Sequence, residues 1–207
     1  MKKKFLSLMM AAAVVATTSV SAFADDYSWS DKREQDVQVN ITGDVTSNAG
    51  ETVSGTLSVS VPTTTTFTVQ KNGTVTAPAI TVQNRGTQAV DVYAYKFSDN
   101  TPAAGRGITV VGKSGLTDAT DYSKLSLRLN GTAGDAFLKS EEGKSGLYTD
   151  LNCETQAPET GVKLVSVGGN KTDTITLEGT TKELGDSGAP AAAIQDKFVL
   201  TLKIKKA

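Results

Sequence analysis

Histidine is absent from this 207-residue chain and cysteine occurs once. Without histidine, Ser-His-Asp and Cys-His nucleophile systems and His-based zinc sites are excluded, so catalysis would have to rest on carboxylates, Lys or Tyr alone. With Cys153 alone no intrachain disulfide can form. That rules out a cystine-stapled scaffold and leaves a buried free thiol as the expectation. Aromatic residues make up only 6% of the chain, with Trp29 the single tryptophan, so most rings are needed for a core. After the first two dozen residues there is no hydrophobic run long enough to span a membrane.

The start of the chain is different. Lys2, Lys3 and Lys4 precede an apolar stretch from Phe5 to Val20, and Ser21-Ala22-Phe23-Ala24 supplies a small-x-small pattern. Together these read as residues 1–24 of a bacterial signal peptide, with the mature chain expected to start at Asp25 and to work outside the cell or on its surface. Removing the leader leaves 183 residues with 18 basic against 22 acidic side chains, a net charge of −4. An acidic balance argues against nucleic acid or an anionic membrane as partner, since both call for clustered Lys and Arg. The one basic cluster, Lys203, Lys205 and Lys206, alternates with Leu202 and Ile204 and fits the solvated side of a last strand.

From Asp36 onward, short runs rich in Val, Thr, Ile and Leu alternate with polar residues, the period-two mark of half-buried strands. Val37, Val39 and Ile41 share one face of a first strand, and Leu57, Val59 and Val61 do the same before Pro62. Asn72-Gly73 predicts a hairpin pairing TFTVQ with TVTAPAITV, and Asn130-Gly131 a second turn after Leu125, Leu127 and Leu129. The segment AVDVYAYKF predicts a central strand buried on both sides, with Val90, Val92, Ala94 and Lys96 opposite Asp91, Tyr93, Tyr95 and Phe97. Residues 134–146 mix charge with glycine and read as an exposed loop. Single helical turns are expected near 118–124 and 189–194. Further strands are expected at GITVVG, Val162–Val167, Asp173–Leu177 and Lys197–Lys205. About ten short strands with almost no helical periodicity predict an all-β fold, an antiparallel β-sandwich with Greek-key-like connections over residues 36–207, a closed barrel being the alternative.

Residues 25–35 form an N-terminal arm ahead of that domain. Tyr27 and Trp29 alternate with small polar residues there, a costly place for two large rings unless they pack on something. The arm either folds back on its own sandwich or inserts into a neighbouring copy, with Tyr27, Trp29, Val37, Val39 and Ile41 as the anchoring row. Tyr93 and Tyr95 are the candidate platform for stacking a sugar.

Chemistry-bearing motifs are few. Glu154-Thr155-Gln156-Ala157-Pro158 resembles the ETxAP core of the E-box of Gram-positive pilin domains, where the glutamate promotes a Lys-Asn isopeptide bond. The pattern before the glutamate departs, with Asp150 and Asn152 in the expected places, so that chemistry is not expected here. Glu141-Glu142 and Asp118 with Asp121 sit in turn-like contexts and make no glycosidase pair. Asp99, Asp118, Asp121 and Asp135 lack the spacing of a calcium loop. No catalytic residue, metal ligand or cofactor site is assigned. The leader, the stretch SVPTTTTFTVQKNGTV…ITVQNRGTQAVDVYAYKF and the terminal KFVLTLKIKKA resemble secreted β-sandwich surface proteins of Firmicutes, nearest the camelysin/TasA-like matrix-fibre subunits and more distantly the WxL-type wall proteins. The Trp-x-Leu signature of the latter is absent, Trp29 being followed by Ser30 and Asp31. The resemblance implies a non-enzymatic structural or adhesive protein whose partners are copies of itself, other surface proteins or glycans.

Overall fold

The computed structural model describes residues 26–29, 34–40, 57–102, 105, 107–141 and 144–207. The expected leader, Asp25 and Ile41 lie outside them. The fold is all-β, a sandwich of two sheets with fourteen strands among the described residues, more than the ten or so expected because several are only two residues long. The larger sheet comprises β1 (Asp26–Trp29), β3 (Leu57–Ser60), β6 (Ile80–Asn84), β13 (Thr172–Thr181), β9 (Lys124–Gly131), β10 (Gly134–Glu141) and β11 (Lys144–Tyr148), in that order. Where β9 and β10 splay apart, β8 (Thr109–Val110) wedges between them, antiparallel to β10 and parallel to β9. The smaller sheet has the order β12 (Val162–Val167), β7 (Val90–Asp99), β14 (Phe198–Lys206), β2 (Glu34–Asn40). A short ribbon of β4 (Thr68–Val69) and β5 (Val75–Thr76) pairs with neither sheet but packs over β13, with Val75 against Gly179 and Thr181 Oγ1 donating to Gly73 O at 2.9 Å.

One core lies between the sheets. Val59, Ile80, Val82, Leu125, Leu127, Leu129 and Ile175 of the larger sheet meet Val90, Val92, Leu164, Leu200, Leu202 and Ile204 of the smaller, all essentially inaccessible to water. Period-two alternation placed these side chains on one face, and their burial is the main favourable term. Phe198 stacks on Phe97 with ring centroids 5.5 Å apart and leans on Phe67 at 6.1 Å.

Local chemistry explains where the strands stop and where expectation and structure part. The Asn72-Gly73 turn forms as expected, with Gly73 at φ +84 and the Thr74 N–H donating to Asn72 Oδ1 at 3.0 Å. The following run is two strands, not one: Pro78 interrupts it, and Ile80–Asn84 pairs with β13 and β3 instead. The β9–β10 hairpin turns at Thr132-Ala133, because Asn130 is already paired with Asp135 and Gly131 with Gly134. Gly131 is required for another reason. A Cβ there would collide with the Leu164 carbonyl, so glycine lets β12 approach closely. The expected loop at 134–146 is the β10–β11 hairpin; Ala136, Phe137 and Leu138 are buried at its centre and the charges gather towards its tip. Among the described residues, four-residue 3₁₀ turns lie at Lys113–Leu116 and Gly185–Gly188, and neither 118–124 nor 189–194 forms a helical turn. Asn84, only 1% exposed, ties the ends of two turns by donating to Gln88 O at 2.7 Å and Val167 O at 3.1 Å and accepting from the Gly86 N–H at 2.9 Å.

Candidate functional site

Strand β7 occupies an interior position between β12 and β14, as its apolar content predicts. Its strict alternation, however, breaks. The ladder to β14 shifts register between Thr201 and Leu202, leaving Tyr95 as an extra residue on β7. This bulge returns Phe97 to the core beside Val92 and Ala94 and turns Lys96 outward, the reverse of the faces expected for both residues. The outer face of the strand is half-exposed, so burial on two sides does not hold.

On that outer face Tyr93 and Tyr95 are half-buried beneath lysines. Lys203 Nζ sits 3.6 Å from the Tyr95 ring centroid, with Lys96 Nζ at 5.2 Å, and Lys205 Nζ sits 5.2 Å from the Tyr93 ring. Next to them Asp91 accepts from Lys163 Nζ at 2.8 Å and Ser166 Oγ at 2.6 Å. Burial opposes ionisation of Asp91, but the bonds from Lys163 and Ser166 outweigh it and hold the carboxyl below its ordinary range. The same bond from Asp91 keeps the Lys163 ammonium protonated above its usual range.

Beyond the bulge the sheet opens into a cleft. The β12 ladder ends at Val162 opposite Ala94, while β7 runs on to Asp99. Gly161, at φ +82 and packed so that a Cβ would strike the Ala94 carbonyl, turns the chain away from the sheet at that point. The resulting cleft, of about 740 Å³, has Tyr95, Lys96, Ser98, Asn100 and Thr201 on one side, with Ser145–Leu147 of β11 and Gln156–Glu159 across from them. Asp150 fixes the far wall by accepting the N–H groups of Asn152 at 3.0 Å, Glu154 at 3.1 Å and Thr155 at 2.6 Å. These bonds, that of Thr155 foremost, lower the Asp150 pKa. The Ala157 N–H donates to Leu147 O at 2.8 Å, and Gln156 bridges to Tyr148. Glu154 is exposed, whereas isopeptide chemistry needs a carboxyl buried in an apolar core. Cys153 is free and buried between Phe137 and Tyr148, donates to Leu138 O at 3.6 Å, and burial pushes its thiol up to about 11, far from a reactive thiolate.

The N-terminal residues are placed at the ends of both sheets. Tyr27 and Trp29 lie on β1, opposite Val59 and Leu57, at one end of the larger sheet. Val37 and Val39 lie on β2, opposite Leu202 and Leu200, at one end of the smaller, and β2 begins at Glu34, just ahead of the boundary drawn at Asp36. The structure brings Tyr93 and Tyr95 onto one face, but only Tyr95 lines the cleft. Missed in the sequence were Gln156 and its neighbours as a cleft wall, and Lys203 and Lys205 as covers for the tyrosine rings; the signal for the second was the Lys-x-Lys alternation opposite Tyr-x-Tyr. Among the described residues no group of three acidic or cysteine side chains gathers where it could hold a metal ion, and no helix is long and apolar enough to cross a membrane.

The chain was compared with known proteins. No family model matches it, and neither a curated protein nor a solved structure does.

Proposed function

We propose that this protein is an exported, non-enzymatic structural or adhesive subunit of a bacterial surface or extracellular matrix, and that it assembles by exchange of its N-terminal segment between copies. One observation carries the reading: a single terminal segment supplies the end strand of both sheets, β1 beside β3 and β2 beside β14. End strands are hydrogen-bonded to the sheet on one side only, so the segment can leave without breaching either sheet's interior, and it uncovers two strand edges when it does. The same segment from a neighbour restores identical main-chain bonds, and such a head-to-tail contact propagates as a filament. The resemblance to camelysin/TasA-like matrix-fibre subunits points the same way. The test is removal of residues 25–40 from the mature chain. Full-length mature protein is expected to form concentration-dependent fibres in negative-stain micrographs. The truncated chain is expected to form none, and to recover a native circular-dichroism spectrum when a synthetic 25–40 peptide is added. Fibres that survive the deletion would sink the proposal.

The cleft supports a second reading, as a module that binds cell-wall or host glycans. Tyr95 lines the cleft beside Ser98, Asn100 and Gln156, a mixture of aromatic and hydrogen-bonding groups suited to a saccharide. Here a monodisperse monomer should bind on a glycan array and lose at least tenfold in affinity on Tyr95→Ala. Equal binding by the variant removes this reading.

A further inference from the structure

The ladder partners of the smaller sheet run in rows that cross all four strands. In one row Ser166 of β12, Asp91 of β7, Lys205 of β14 and Glu34 of β2 are successive ladder partners; in the next, Lys163, Tyr93, Lys203 and Asp36. Each lysine also contacts a tyrosine ring, Lys203 Nζ 3.6 Å from the Tyr95 centroid and Lys205 Nζ 5.2 Å from that of Tyr93, which narrows the positions from which it can pair with a carboxylate.

The ladder partners of the buried β14 residues Leu200, Leu202 and Ile204 give no reason for this alignment. In the observed register Val39 is the ladder partner of Leu200, Val37 of Leu202 and Gln35 of Ile204. Sliding β2 by two residues preserves which side chains face the core. It would bring Ile41, Val39 and Val37 opposite Leu200, Leu202 and Ile204, an apolar match at all three positions. Hydrophobic burial on its own therefore favours the slid alignment. On the outer face the slide leaves one opposite-charge pair, Asp36 with Lys205, and sets Gln38 against Lys203. A slide the other way sets Arg33 against the buried Ile204.

We propose that Lys203 and Lys205 form a two-charge code that fixes the register of β2 on β14, and that in the assembly this code restricts the β14 edge to the Glu34–Asp36 strand of a second copy of this chain. The second half rests on the self-assembly reading above. Cross-strand pairs of opposite charge are individually weak, and they act here through the difference between two otherwise similar alignments.

Disulfide trapping separates the alignments. In a Cys153→Ser background, Gln38→Cys with Thr201→Cys reports the observed register, and Asn40→Cys with Thr201→Cys reports the slid one. At low salt the first pair should cross-link on mild oxidation at least fivefold more than the second. Lys203→Glu with Lys205→Glu should reverse that preference, and adding Glu34→Lys and Asp36→Lys should restore it. A preference unmoved by lysine reversal overturns the code. Gel mobility decides the other half independently: bonds between chains support the second copy as occupant, whereas bonds found only within one chain at fibre-forming concentrations overturn the assembly reading and leave the register result standing.

Discussion

The two faces of the smaller sheet are made by the same strands and do different work. The inner face of β7 and β14 is a continuous apolar surface, with Val90, Val92, Ala94, Leu200, Leu202 and Ile204 all fully buried. Burial of this kind is large and non-directional, so it holds the sheets together but does not select the observed alignment of β2 on β14. The outer face carries Asp91, Lys163, Tyr93, Lys203 and Lys205, whose contacts are small in energy and specific in position. Stability comes from one side and register from the other. Sequence alternation distributes residues between the faces, so a single strand can carry both functions only as long as its period stays at two.

Adjacent residues on β14 give the sharpest way to break that comparison. Leu202→Ala removes a fully buried side chain from the middle of the core and should cost about 2–5 kcal/mol in urea unfolding, mostly as a drop in the midpoint. Lys203→Ala, one residue on, should cost under about 1 kcal/mol, because a half-buried lysine over a tyrosine ring at the sheet surface contributes little to stability. Comparable losses from the two would mean that the outer face is structural after all and that the division of labour drawn here is wrong.

How much of this was legible follows from the same physics. Alternating runs such as Asp173–Leu177 and Lys197–Lys205 announced themselves as strands because one face is apolar and the other polar, and the fold class followed from the number of such runs. Asn72-Gly73 marked a turn because Gly73 needs a positive φ. Other features were hidden because their cause lies far off in the chain. Gly131 reads as a turn glycine, but its role is set by the Leu164 carbonyl. Residues 134–146 read as a loop because charge and glycine outnumber the buried apolar residues Ala136, Phe137 and Leu138, whose strand is recognisable only from its pairing with β9. The bulge at Tyr95 carries no local signal at all: it is a mismatch between two strands more than a hundred residues apart. The cleft inherits this limit, since it is bounded by that bulge, by the end of β12 and by the Gln156–Glu159 segment. Tyr95 could be picked out as exposed aromatic surface, whereas the residues facing it could not.

The smallest expected effect tests the outer face alone. The carboxyl of Asp91 is held below its ordinary value of 3.8 in the folded chain by Lys163 and Ser166. A group whose folded pKa lies below its unfolded one contributes stability that is fully present above the unfolded value and fades as pH falls through it to the lowered one. Wild type should therefore melt above Asp91→Asn at pH 7 and hold that lead until the ordinary carboxylate range is reached. The gap should close as the pH drops below about 3.8. Lys163 gives the mirror case: its pKa is raised above 10.5 by the bond from Asp91, so its contribution is complete at lower pH and is lost only as the solution becomes more alkaline than that. Calorimetric melts of both proteins from pH 2 to pH 11 would show a difference confined to the window between the two limits. A melting gap that persists undiminished at pH 2 would place the role of Asp91 in its shape and hydrogen bonds, not its charge.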